Sequence, residues 1–457
     1  MKTWKKIALT STVALAAASL AACGNSSASA AKKVVHLTYA NWNLGTKAQN
    51  GVERQMVAAW NKANPDIQVS IDETVSTSTN YTGALTTAAS AGKLPSVWMS
   101  ASVANDDQSG WTYDMSSIEK ADSEFTGLAQ SVQDSVVLKG KNEAIPFGQS
   151  QMGFFVNNDL LNKLNLPIPT QNTSVADWVK EVKEATNLSQ KYVGVSEAPS
   201  EVDWMPGEID TSYSGLFTYN NSKVDLTSPA MNQSMTTAAD LGKNGYSFLQ
   251  LTAAQQKALS GGTDPNAAFQ KGEVAFLYNG TYADANLSTT ANFNYSWMGL
   301  PGGRQDIELD YLVESKSLNS TEAKDAYAFA KYMSYGETGY KERLALTKKS
   351  GQEPAYLPLT QNKTLVADYW KLVNVPGMET ATSQVQNAMV DPMKTVPGYI
   401  NARWNATTGL TVAGTKNATI GDIIQSAGLG QANWADYSAQ LQTLSQKQLD
   451  TAAAALK

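Results

Sequence analysis

Of 457 residues, one is histidine, His36, and one is cysteine, Cys23. A histidine-based triad could form only around His36, and no Cys/His cluster is available to bind zinc. Ser117-Ile118-Glu119-Lys120 has the S-x-x-K spacing of a serine acylated beside a lysine, but no S-D-N or K-T-G partner accompanies it. Gly148-Gln149-Ser150-Gln151-Met152 departs from G-x-S-x-G at its last position. G-x-x-x-x-G-K-[ST] is absent, so any coupled ATP hydrolysis needs another subunit. The carboxylates of Asp306, Glu308 and Asp310, or of Glu201 and Asp203, are of the type that cleaves glycosides. That chemistry depends on the spatial separation of two acids, which sequence does not give.

Cys23 has a context of its own. Lys2, Lys5 and Lys6 precede an apolar stretch from Ile7 to Leu20, which has the length of a signal h-region. Leu20-Ala21-Ala22-Cys23-Gly24 follows and resembles a bacterial lipobox, which implies cleavage before Cys23 and a diacylglycerol on its sulfur. A lone thiol in an exported chain can form no internal disulfide, so a lipid thioether gives it a role. The reading divides the start of the chain into a signal peptide, 1–22, and a Ser/Ala-rich flexible tether, 23–33. It places the protein at the cell membrane, lipid-anchored on the extracellular face.

Without the three signal lysines, 32 of the 35 basic residues remain against 41 acidic ones. An acidic chain argues against nucleic-acid binding, which depends on basic patches. Its length exceeds one typical core, so two domains are expected. Eleven Trp and 19 Tyr outnumber 10 Phe, a balance that suits flat faces with polar edges.

The positioning elements follow from periodicity. Val34–Tyr39 reads as a strand. Val52, Met56, Ala59, Trp60 and Ala63 form one helical face. Ile67, Val69 and Ile71 alternate as a strand, a helix runs over Tyr81–Ala91, and Leu94–Met99 returns as a strand. This alternation is that of an α/β sheet. Further helices are predicted behind Ser174, behind Asp264-Pro265 and behind Asn319, whose Glu322 completes a capping box. Tyr192–Val195 and Val274–Tyr278 read as strands, the second covered on both faces.

Four ordered segments resemble the family 1 extracellular solute-binding proteins, the group that includes maltose-binding protein. They are "AASAGKLPSVWM" ending at Met99, "IPFGQSQMGFFVNNDLLNKLNLPIPTQNTSVADWVKEV" from Ile145, "NAAFQKGEVAFLYNGTYADANL" from Asn266, and Met298–Tyr340 with "GLPGG" and "AKDAYAFAKYMSYGETGY". Ser96, Val156 and Tyr282 stand where the family has Asp, Tyr and Trp. The resemblance implies an α/β, two-lobe periplasmic-binding-protein-like fold with discontinuous lobes joined by hinge strands. Lobe I would comprise 34–147 with 298–348, and lobe II 148–297 with 349–457. Crossings are expected at Pro146–Gln151, Trp297–Pro301 and Leu346–Gly351.

The resemblance also implies a monomeric, non-enzymatic component of an ABC importer. It would take a carbohydrate between its lobes, without cofactor or metal, and deliver it to permease subunits. A surface-anchored glycoside hydrolase, or a peptide or polyamine receptor on a similar fold, are the alternatives. Sugars need aromatic faces and planar polar groups. The expected ligand-binding residues are Trp42 and Asn43 after the first strand, Asp106 past the third, and Gln149 and Gln151 in the hinge. Trp204 beside two carboxylates, Tyr282, the permissive glycines Gly302 and Gly303, and Trp404 complete the set.

Overall fold

The alternating and continuous apolar runs fold into eleven strands, in a computed structural model that describes residues 34–351, 353–384 and 388–455. They are β1 (Val35–Ala40), β2 (Ile67–Ile71), β3 (Val97–Ser100), β4 (Val137–Leu138), β5 (Lys141–Asn142), β6 (Ile145–Asn157), β7 (Val193–Val195), β8 (Val274–Gly280), β9 (Tyr295–Gly299), β10 (Asp306–Glu314) and β11 (Met389–Val390). Apart from the β4–β5 hairpin they form one mixed sheet. Its order is β2-β1-β3-β10-β6-β8-β7, with β9 also on β6 and β11 on β10.

The predicted helices form at Val52–Ala63, Tyr81–Ser90, Val175–Ala185, Pro265–Gln270 and Ser320–Met333. Their caps are the expected ones. Ser174 and Asp264 each accept a backbone N–H, and Asn319 with Glu322 makes the reciprocal capping box.

Two strands carry the molecule from one lobe to the other. The first half of β6 pairs antiparallel with β10, which continues onto β3. Its second half lies between β8 and β9. Ile145 and Phe147 join one core with Tyr39, Trp98, Tyr311 and Phe329, which is lobe I. Phe154 and Val156 pack on Trp178 and Trp204, while Phe155 faces the opposite side with Trp297 and Phe269. Lobe II therefore covers its sheet on both faces, which explains the unbroken Phe154-Phe155-Val156 run. A further helical layer, from Met231 and Met235 to Ile423, Ile424 and Leu441, packs beside it.

The return crossing differs from the expectation. Trp297, Met298 and Leu300 still pack in lobe II, and lobe I packing resumes at Ile307, so β10 itself is the crossing. The motif "GLPGG" marks the approach to the crossing rather than the crossing. The helix Glu337–Ser350 sends Tyr340 and Leu344 towards one core and Leu346 towards the other, and Leu359 packs in lobe I. No helix among the described residues is long and apolar enough to cross a membrane. Cys23, with the segments read as signal and tether, lies outside the described residues.

Candidate functional site

Beyond β1, Asn41 accepts the Asn43 backbone N–H at 2.7 Å and donates to the Tyr39 hydroxyl at 2.7 Å. These bonds fix the turn Trp42–Leu44 at the carboxyl end of the strand. Trp42 is half-buried and meets Tyr81 edge to face, with ring centroids 5.1 Å apart. In lobe II, β8 ends at Gly280 and the Tyr282 ring lies back over it. A Cβ on Gly280 would stand 2.1 Å from a ring carbon, so only glycine admits this rotamer. Tyr282 is 43% exposed. Among the described Phe, Tyr and Trp residues, only Tyr282 and Trp404 are exposed.

Trp42 and Tyr282 line one cavity of about 630 Å³. Lobe I contributes Asn43, Val52 and Glu53 to its walls, the hinge strands contribute Ser150, Glu308 and Asp310, and Arg343, the segment Glu353–Tyr356 and Lys394 also line it. Strand parity determines which hinge residues face it. Glu308 is opposite Ser150 and Asp310 is opposite Gly148, so these four share a face, and Asp306 lies on that face with Met152. Gly148 makes room for the Tyr356 ring, which a Cβ would approach to 2.5 Å. The Tyr356 hydroxyl donates to Asp310 Oδ2 at 2.6 Å and accepts from Asn43 Nδ2 at 2.7 Å. Lys394 donates to Asp310 Oδ1 at 2.6 Å. Arg343 holds both Glu53 oxygens and donates to the Met333 carbonyl at 2.6 Å.

Burial dominates the electrostatics of this floor. It pushes Glu308 up to about 7, aided by the Asp391 carboxylate and opposed by Lys394. Burial raises Asp391 to about 6. Burial and Glu308 hold Asp306 well above the usual carboxylate range. For Lys394 burial acts to lower the pKa, but the Asp310 carboxylate outweighs it and the net shift is upward. Among the described residues no group of His, Cys, Asp and Glu is arranged to hold a metal ion.

The structure brings Trp42, Asn43 and Tyr282 together and separates the other expected residues from them. Asp106 is buried below β3, accepting from Ser100 Oγ at 2.7 Å and Trp98 Nε1 at 3.1 Å, so it anchors the loop rather than lining the cavity. Gln149 and Gln151 point away from it, since they pair with Leu309 and Ile307 on the other face. Gln151 is fully buried and donates to the Thr382 carbonyl at 3.1 Å. The residue with the correct parity is Ser150. Trp204 lies in the helix Glu201–Ile209 and is fully buried against Phe154 and Trp178, so it does not line the cavity.

Gly302 and Gly303, at φ 105° and 100°, line a different cavity with Glu208 and Arg304. Trp404, 37% exposed, lies 3.6 Å beneath the Arg403 guanidinium and is not among the residues lining the cleft cavity.

Asp306, Glu308 and Asp310, considered above only as glycoside-cleaving acids, carry a further signal in the sequence. Asp306-Ile307-Glu308-Leu309-Asp310 alternates, which puts three carboxylates on one strand face. Tyr356 and Lys394 carried none, because only the fold brings them to Asp310.

Residues 55–376 match the model of the bacterial extracellular solute-binding protein family, and the chain belongs to that family. Among solved structures it is similar to an ABC substrate-binding protein from Listeria monocytogenes in complex with cycloalternan. Identity there is 19%, with 92% of this chain and 99% of that one covered at a TM-score of 0.68. A Mycobacterium tuberculosis protein, UgpB, in complex with glycerophosphocholine aligns at 14% identity, 92% and 99% coverage and a TM-score of 0.67. The maltose-maltodextrin binding protein of Alicyclobacillus acidocaldarius aligns at 17%, 90% and 100%, with a TM-score of 0.61. Comparison with curated protein sequences gave no significant match.

Proposed function

We propose that this solute-binding protein captures a carbohydrate, an oligosaccharide in size, between its lobes and delivers it to the permease of an ABC importer. In this reading it is a monomer held at the outer face of the cell membrane through Cys23 and performs no catalysis. The observation that carries it is the cleft cavity, where Trp42 of lobe I and Tyr282 of lobe II line a space whose floor is otherwise polar. Flat aromatic faces beside hydrogen-bonding carboxylates and amides suit sugar rings and their hydroxyls. The Listeria and Alicyclobacillus relatives, one solved with cycloalternan and the other named for maltose and maltodextrin, support the same ligand class. Because β6 and β10 are the strands shared by both lobes, rotation about them would close the cleft over the solute.

Calorimetry against a panel of oligosaccharides, with chromatography of the sugar afterwards, tests the proposal. Saturable binding with the sugar recovered intact is expected. Consumption of the sugar would favour the glycoside hydrolase, and failure of the whole panel would refute carbohydrate capture.

A further inference from the structure

The cavity's charges leave one group over. Its lining holds Glu53, Glu308, Asp310 and Glu353 against Arg343 and Lys394. Arg343 is committed to Glu53 and Lys394 to Asp310. Glu353 faces the Asp284 carboxyl rather than a cation, and burial together with that neighbour pushes it up to about 8. Glu308 remains. No hydrogen bond reaches its carboxylate among the described residues, although it lines the cavity.

A second observation concerns what lies behind it. Asp306, two residues along the same strand face, is fully buried, and neither of its oxygens has a hydrogen-bond partner. Asp391 is close enough to act on both carboxylates. The floor therefore holds carboxyls that burial keeps at or near protonation, and Glu308 is the one of them that opens to the space between the lobes. Closure over a neutral solute would drive Glu308 to take up a proton, because low-dielectric surroundings penalise a charge without a partner. A hydroxyl can donate one hydrogen bond to it but brings no charge. A protonated amine brings both.

We propose that the solute carries a cationic amino group seated on Glu308, which makes the preferred ligand an amino-substituted oligosaccharide rather than a neutral one. This rests on the carbohydrate reading above and adds the charge of the solute to it. Trp42 and Tyr282 supply the faces for sugar rings, and Glu308 selects among sugars of equal size. Lys394 sets the strength of that selection, because among the described residues it is the cation whose field lowers the Glu308 pKa.

The test is calorimetry on the full chain with four probes: a glucosamine trisaccharide with free amines, its fully N-acetylated counterpart, a neutral glucose trisaccharide, and spermidine. The free-amine sugar is expected to bind at least tenfold more tightly than its acetylated form. Glu308→Gln should erase that ratio without lowering the melting temperature. Lys394→Met should narrow the ratio, because without that cation Glu308 holds its proton in neutral solution. An acetylated or neutral sugar binding as tightly as the amine would overturn the proposal and leave carbohydrate capture intact. Spermidine binding with every sugar silent would overturn carbohydrate capture and leave the cation site standing. Silence from both amine probes at millimolar concentration would also overturn the proposal.

Discussion

Asn43 and Tyr356, 313 residues apart in the chain, meet side chain to side chain at 2.7 Å on the wall of the cleft. Through Tyr356 the contact extends to Asp310 and then to Lys394. One hydrogen-bonded line thus ties the loop after β1 to a hinge strand and to the loop after β11. Asp310 is held from both sides by it, which keeps this carboxylate occupied while Glu308 stays open.

Tyr356→Phe tests that line. The ring would remain against Gly148 and Phe147, but Asn43 Nδ2 and Asp310 Oδ2 would lose their partner. Water can replace the hydroxyl at the exposed Asn43 and Asp310 keeps Lys394, so the loss is that of ordinary hydrogen bonds, roughly 0.5–1.5 kcal/mol, and the melting temperature should fall modestly. Gly148→Ala should act similarly by displacing the ring. Calorimetric unfolding of both variants is the measurement, and parental stability in both would show that the line carries no weight.

The aromatic residues divide by burial. Trp42→Ala and Tyr282→Ala each remove a face from the cleft, worth roughly 1–3 kcal/mol of binding, or about ten- to a hundredfold in affinity. Tyr282→Ala should leave the melting temperature nearly unchanged. Trp204→Ala belongs to the core and should cost about 3–5 kcal/mol of stability. Equal effects of Tyr282→Ala and Trp204→Ala on melting would contradict this division.

Stability should decline as pH rises from mildly acidic to alkaline. Burial raises Glu119 and Glu208 to about 8 and Glu197 and Glu308 to about 7, from an ordinary value of 4.5. Between 4.5 and those values the folded chain binds more protons than the unfolded one, so this contribution is fully present below 4.5 and lost as pH rises through 7 to 8. Glu73 and Asp122 are shifted downward and act in the opposite sense only on acidification. Melting temperature at about pH 5.5 should exceed that at about pH 8, and Glu308→Gln should narrow the gap. A higher value at the alkaline pH would reverse the sign.

Cys23→Ser should release the full-length protein from membranes or leave its signal segment uncleaved. A diacyl anchor holds stably where a single chain would not. Membrane fractionation and mass measurement decide it, and a variant indistinguishable from the parent would remove the anchor from the proposed function.

Local elements were legible because local patterns specify them. The helix at Val52–Ala63 follows its apolar stripe, and the caps at Ser174, Asp264 and Asn319 fall where short polar side chains precede helical runs. Trp42 and Asn43 were expected at the cavity from their place after the first strand, and Tyr282 from the family's tryptophan position that it occupies; the structure brings these three to one cavity. Gln149 and Gln151 were misplaced by one residue, and in a strand one residue exchanges the faces. Trp204 resembled a sugar platform because its carboxylate neighbours are visible in sequence, whereas the Phe154 and Trp178 rings that bury it come from distant segments. The Tyr356–Asp310–Lys394 contacts are tertiary throughout, so no local spacing announces them.

The place of β10 in the sheet also sets an order of assembly. It lies between β3 and β6, yet the chain delivers it only after β6, β7, β8 and β9 have been made. Until then β3 and one edge of β6 have open backbone groups that can pair with any passing strand. The helical layer of lobe II waits longer still, since Val202, Met231 and Met235 are covered by Tyr399, Ile424 and Leu441. A chain emerging amino end first therefore shows apolar surface and unpaired strand edges through most of its synthesis. Its yield in the cell should depend on how well the nascent chain is shielded before its last quarter arrives.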